Sequence, residues 1–353
     1  MKRMLVKTVS LFLVLVCILP ASSCSTRRKQ KYTEYYLDYF DTATTVIGYA
    51  RSEEEFSSVT SLVGQMLDKY HKLYDIYNSY DGLTNLADVN SLDGGVHKTH
   101  SVSSEIIDLL IYSKEMYTLT GGEVNIAMGS VLSLWHTARE NAAKDPTDTK
   151  VPDASLLENA AKHTNINDII IDEENMTVFL SDPEMTLDVG AVAKGYAAER
   201  IADELAKRGI TGYILNLGGN VRTVGNKPDG SDWTAGITDP DNPESDTYKA
   251  YVSLCDKVLV TSGSYQRFYS VRGTQYHHII DKDTLYPSQY FKSVSVLCDD
   301  SGLADALSTA LFSMSYEDGN ALIEEIEGAE AMWINTGGVV LYSSGFESYI
   351  KKR

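Results

Sequence analysis

Three short segments of this 353-residue chain combine residue types that can handle a phosphate. Leu187 to Tyr196 reads LDVGAVAKGY. Asp188 closes an apolar strand-like run, Gly190 and Gly195 allow close backbone approach, and Lys194 enters a helix whose first N–H groups have no partner within it. This is neither a Walker loop nor a dinucleotide fingerprint, because GxxxxGK[ST] and GxGxxG are both absent, and alone it also fits a tight strand-to-helix turn. Asp305 to Leu311 reads DALSTAL; on a helix Asp305 and Thr309 share a face, so a carboxylate and a hydroxyl oxygen can converge on a hard cation. The same two residues also fit a capping role and a core role. Within 260–287, His277 and His278 precede Ile279, Ile280 and Asp281 at a strand end. Such a histidine can act as a general base near neutral pH, and adjacent strand residues point to opposite faces, so at most one of the pair faces a site. Three of the seven histidines fall in helical or loop runs with no acidic or nucleophilic partner nearby in sequence. Two further strand breaks, LGGN at 217–220 and TGGEVN at 120–125, suggest close backbone approach.

The elements that must position these residues follow from periodicity. Apolar residues from Phe56 to Leu73 recur at helical spacing, predicting a helix over 52–77; Ser103 can cap another running to Leu119. Further helices are predicted at 131–144, 153–163, 193–208, 303–314 and 317–327. Strands are predicted at 169–171, 176–180, 185–189, 213–217, 248–254, 258–261, 276–280, 331–335 and 339–342. Helices and antiparallel-looking strands mix without strict alternation, which favours an α+β fold with mixed, mainly antiparallel sheets flanked by helices.

Composition narrows the function. With 31 Lys and Arg against 49 Asp and Glu, the net charge is −18 and repels a nucleic-acid backbone. Four cysteines without metal-ligand spacing make neither a disulfide scaffold nor a zinc site. Lys2, Arg3 and Lys7 precede an apolar run from Val9 to Leu19 and then small residues before Cys24, the pattern of a secretory signal too short to span a bilayer. The residues before Cys24 resemble a bacterial lipobox, in which that Cys becomes the acylated first residue of the mature chain; an ordinary signal peptide with an incidental Cys also fits the pattern. The expected division is a lipoprotein signal at 1–23, a basic tether at 24–35 beside anionic lipid, and one catalytic domain at 36–353, held outside the cytoplasm on the bacterial cell membrane. Cys255 and Cys298, each in an apolar run, are expected to be buried.

Taken in order, nine segments resemble the ApbE family of FAD:protein FMN transferases: FDTATTV at 40–46, YDGLTNLADVN at 80–90, GGEVNIAMGSVLSLW at 121–135, LDVGAVAKGYAAE at 187–199, LNLGGNVRTVG at 215–225, WTAGITDP at 233–240, TSGSYQRFY at 261–269, HHIID at 277–281 and ADALSTALF at 304–312. The resemblance implies that FAD is split at its pyrophosphate, that FMN passes to a Thr or Ser hydroxyl of an acceptor protein, and that AMP leaves. It implies Mg²⁺ on Asp305, Thr309 and the Ala191 carbonyl, with His278 as the base. It places Phe40, Tyr80, Asn125, Ile126, Ala127, Asp188, Lys194, His278 and Ile279 around FAD, with Phe40 and Tyr80 as flat walls for its rings. The same set would serve hydrolysis of FAD with water as acceptor, and a lipoprotein that only captured FAD would need no metal site. The chain departs from the family pattern at Asn125, where many members have Asp, at Ile126, where many have Pro, and at Asn85, where an acid is common.

Overall fold

Strand Val258–Gly263 turns Val258 and Val260 to one face and Leu259 to the other, and all three are buried, so both faces of its sheet must be covered. The computed structural model describes residues 28–245 and 247–352; the signal segment and Cys24 lie outside them. Eight strands form one antiparallel sheet whose spatial order follows the chain: Gln30–Tyr39, Thr42–Ala50, Tyr213–Leu217, Asn220–Val224, Val258–Gly263, Phe291–Cys298, Glu330–Asn335 and Val340–Tyr342. Helices Glu53–Tyr74, Ala193–Lys207 and Ser301–Ser313 cover one face. The hairpin Trp233–Thr238/Tyr248–Leu254, with Phe346, covers the other. The architecture is the α+β arrangement expected, with every strand pair antiparallel among the described residues.

Local sequence explains the main helices. Ser52 Oγ accepts from Glu55 N at 3.2 Å, Glu53 to Glu55 load the first turn with negative charge, and Lys72 loads the last with positive. Phe56, Val59, Val63, Leu67, Tyr70 and Leu73 form the buried stripe. The helix stops at Tyr74, short of the expected 77, because the Asp75 carboxylate takes the N–H groups of Tyr77 and Asn78 into a turn. Ser103 stands at the N-cap of Ser104–Leu119, but its side chain makes no capping bond.

Four expectations need correction. Residues 30–35, placed in the tether, are the start of the first strand, which pairs from Gln30 opposite Ala50. Residues 185–189 are extended but join no sheet, since side chains take their backbone bonds: Leu187 N donates to Asn90 Oδ1 at 2.7 Å and Asn90 Nδ2 to Leu187 O at 3.0 Å. The strand expected over 276–280 instead runs Thr274–His277 and ends at His277, which pairs with Phe268 at the open end of the Phe268–Val271/Thr274–His277 hairpin. Cys255 is exposed, because the strand before it ends at Leu254 and Cys255 lies in the following turn; Cys298 is buried as expected.

Helices Ala193–Lys207 and Ser301–Ser313 meet at Gly195. A Cβ there would lie 2.2 Å from Ser301 O and 2.5 Å from Asp305 Cβ, so only glycine permits this approach. Gly195→Ala is expected to force the helices apart and lower the unfolding free energy by about 1–3 kcal/mol. Denaturant unfolding checks this, and a variant as stable as the parent would show that the contact tolerates a methyl group.

Candidate active site

A cavity of about 900 Å³ opens at one end of the sheet. Two tight turns bring the strands to it. Phe40 and Asp41 link the first two strands with φ of 55° and 50°, the conformation of a type I′ hairpin built without glycine. Gly218 and Gly219 make the corresponding turn with φ of 57° and 100°, and a Cβ on Gly218 would fall 2.2 Å from Thr42 Oγ1. The Phe40–Asp41 tip is fastened from outside the hairpin. Phe40 N donates to His71 Nδ1 at 3.2 Å, and Arg267 donates to Asp41 O at 2.8 Å.

The start of the Ala193–Lys207 helix forms one part of the lining. Asp305 is 3% exposed, and its Oδ2 accepts from Gly195 N at 2.8 Å while Lys194 Nζ lies 3.5 Å away. Lys194 also donates to Gly190 O at 3.2 Å and reaches the cavity. Thr309 and Ala191 line the same cavity as Asp305. Asp188 lines it too; Gly190 N donates to its Oδ1 at 2.8 Å, and Asp188 N donates to Ile126 O at 2.8 Å. Burial raises the Asp188 carboxyl above its ordinary range, opposed by the Gly190 N–H and by the Arg139 and Lys194 charges.

The two adjacent histidines separate as strand geometry requires. His277 is buried, donates from Nε2 to Ser288 O at 2.8 Å and accepts from Ile279 N at Nδ1, so both ring nitrogens are committed to structure. His278 lines the cavity, with Nδ1 donating to Arg267 O at 3.2 Å. Its Nε2 is therefore the nitrogen that can accept a proton. Burial, then the Arg267 cation, pushes this imidazole down to about 3, so it is neutral at physiological pH.

Phe40, Asn125 and Ile279 also line the cavity, as expected. Tyr80 does not: it sits behind His71, with its hydroxyl donating to Asp75 Oδ2 at 2.8 Å. Ile126 and Ala127 are fully buried and act from behind, the first through its carbonyl to Asp188. Asn125 spends its side chain on structure, accepting from Ala127 N and donating to Thr164 O, both at 2.9 Å. Asn85 is wholly buried and forms a reciprocal capping box with Asp88. Each departure from the family pattern at an Asn thus has a structural role here. Sequence reading missed His71, Tyr77, His136, Arg139 and Arg267, all cavity-lining. Their helical and loop settings hid the partners that the fold brings to them. The available signal was the i, i+3, i+4, i+7 spacing of Leu132, Trp135, His136 and Arg139.

A family model described as the ApbE family matches residues 40–333. An FAD:protein FMN transferase of Klebsiella pneumoniae (strain 342) is 29% identical over 288 residues, 81% of this chain and 85% of that protein. Another, from Vibrio cholerae serotype O1, is 26% identical over 357 residues, 100% of both chains. Among solved structures, the ApbE protein of Thermotoga maritima MSB8 superposes with a TM-score of 0.79 at 25% identity, covering 92% of this chain and 100% of that one. The flavin transferase ApbE of Vibrio cholerae shares the fold with a TM-score of 0.73 at 22% identity, over 91% and 99% of the two chains. The family match runs from the hairpin tip at Phe40 to Trp333 in the seventh strand of the sheet and so takes in His278, Lys194, Asp305 and Thr309; the chain belongs to the ApbE family.

Proposed function

We propose that this protein transfers FMN from FAD to a Thr or Ser hydroxyl of an acceptor protein through a phosphoester bond, releasing AMP. The observation that carries this reading is the convergence of a neutral His278, Lys194, Asp305 and Thr309 on one cavity at a helix N-terminus. The Lys194 ammonium holds and orients a diphosphate at the helix start, where the Ala193 and Gly195 N–H groups are already bonded to Val189 O and Asp305 Oδ2. His278 Nε2 takes the proton of the acceptor hydroxyl as its oxygen attacks the FMN phosphorus, while the phosphoanhydride bond to AMP breaks and AMP carries the electron pair away.

Asp305, Thr309 and the Ala191 carbonyl offer hard oxygen ligands only, which suits Mg²⁺. No group of three or more Asp, Glu, His or Cys side chains suited to a metal occurs among the described residues, so the remaining ligands would come from substrate phosphates and water. Bound Mg²⁺ would neutralise phosphate charge during transfer.

The purified protein, incubated with FAD, MgCl₂ and a candidate acceptor, is expected to leave flavin fluorescence on the acceptor in a denaturing gel. Failure to label any acceptor, with AMP still released, would identify an FAD hydrolase. His278→Ala is expected to lower the transfer rate about 10²–10⁴-fold while FAD still binds. Because burial holds this histidine neutral, kcat/KM should stay level from pH 8 down past pH 6.5; an acid limb near 6.5 would place the base elsewhere. Asp305→Ala is expected to abolish the response of the rate to added Mg²⁺, and a variant with an unchanged Mg²⁺ titration would remove this carboxylate from the metal site. For the anchor we keep the reading of an extracytoplasmic lipoprotein. Cys24→Ser should move the protein from the membrane to the soluble fraction; continued membrane association would mean another tether.

A further inference from the structure

One helix face in the cavity is left unused by the phosphate chemistry. On the Gly129–Lys144 helix, Leu132, Trp135, His136 and Arg139 occupy i, i+3, i+4 and i+7, and all line the cavity together with Met128 one turn earlier. The strip is graded along its length. Its N-terminal end is apolar, and its C-terminal end carries hydrogen-bond donors. From Leu132 to Arg139 the helix advances about 10 Å, comparable to the long axis of a fused tricycle.

The polar end is held in a fixed arrangement. The Tyr77 ring stacks on His136 with centroids 4.8 Å apart and planes at 24°. Arg139 donates to His136 Nδ1 at 2.9 Å. A guanidinium only donates, so His136 is neutral with its proton on Nε2. Burial and the Arg139 charge both favour that state. The bond to His136 is the one side-chain hydrogen bond of Arg139 among the described residues, which leaves most of its N–H donors for the cavity.

A ligand fitting this strip is flat, long and apolar at one end, with adjacent acceptors at the other. We propose that it is the isoalloxazine ring: Arg139 donates to the neighbouring N1 and O2 acceptors of the pyrimidine edge, and the dimethylbenzene end rests over Met128 and Leu132. Adenine is shorter and sets its N6 amino donor beside N1, which a donor-only fork does not match. The strip therefore selects the flavin end of the dinucleotide and sets which way FAD lies relative to His278. This inference rests on the reading of FAD as substrate.

The test measures dissociation constants of FMN and of AMP separately, by calorimetry, for the unaltered protein, Arg139→Gln and Arg139→Lys. Arg139→Gln should weaken FMN about 10- to 100-fold and leave AMP unchanged, and Arg139→Lys, which keeps the charge but loses the planar fork, should recover only part of the loss. The visible absorption bands of FMN should shift on binding to the unaltered protein and shift less with Arg139→Gln, which a merely structural role would not produce. Equal weakening of both ligands, weakening of AMP alone, or no weakening overturns the assignment. An unaltered protein that binds FMN through Arg139 but labels no acceptor keeps the ring site and removes the transferase reading. One that labels acceptors with Arg139→Gln binding FMN normally does the reverse.

Discussion

The close approach of two helices at Gly195 fixes the part of the cavity lined by Lys194, Asp305 and Thr309. Because that residue lacks a side chain, the Ser301–Ser313 helix comes near enough for the Asp305 carboxylate to accept the Gly195 N–H at 2.8 Å. A carboxylate that is only 3% exposed needs such compensation, and Lys194 supplies a cation beside it. One helical turn further on, Glu199 repeats the device: it accepts from Ser301 N at 2.7 Å and takes a two-pronged ion pair from Arg222 at 2.8 and 3.0 Å. Removing one partner of a pair this buried costs about 3–5 kcal/mol. Two acids on neighbouring helices and a strand arginine thus lock the helix N-terminus, Asp305 and Thr309 into one rigid wall.

The opposite wall is built from strained backbone. Phe40 and Asp41 hold left-handed conformations that each cost about 1–3 kcal/mol in a non-glycine residue, and such strain persists only where surroundings over-determine it. Here the surroundings are His71 and Arg267. Arg267 acts at both ends, since its guanidinium grips the hairpin carbonyls while its own carbonyl receives both the backbone N–H and the Nδ1–H of His278. The tautomer of His278 and the position of the Phe40 ring therefore depend on the same residue.

What could be read beforehand divides along these lines. Periodicity located the long helices, whose buried stripe imposes its spacing on the sequence, and four strands of the large sheet, but not Gln30–Tyr39, Thr42–Ala50, Asn220–Val224 or Phe291–Cys298. It failed at 185–189, where an extended apolar run satisfies its backbone through Asn90 rather than a neighbouring strand, and at Cys255, where the chain turns immediately after an apolar run. The site residues in ordered motifs were legible: His278, Lys194, Asp305, Thr309 and Phe40 all reach the cavity. Tyr80 was not, because its hydroxyl finds Asp75, five residues earlier, a partner that only the turn after Tyr74 brings within reach. Arg139 and His136 were invisible for a related reason. They belong to one helix face, but nothing in sequence says that the face borders a cavity rather than solvent.

The acidity of the chain bears on how such a cavity can hold an anionic dinucleotide. Three of the 31 basic groups lie in residues 1–23, which hold no acid, so from Cys24 onward 28 basic groups face 49 acids. At long range that field opposes a diphosphate, but exposed charges beyond about 8 Å are largely screened at physiological salt. Charges inside the cavity are screened much less. There Lys194, Arg139 and Arg267 share the lining with Asp38, Asp41, Asp75, Glu123, Asp188, Glu244 and Asp305. Burial raises the Asp188 carboxyl toward its neutral form, Gly195 N engages Asp305 Oδ2, Tyr77 N and the Tyr80 hydroxyl engage Asp75, and Lys282 pairs with Glu123. Acids thus outnumber cations in the cavity as they do in the chain, and an anion there would have to lie beside Lys194, Arg139 or Arg267, where part of the neighbouring acid charge is already engaged.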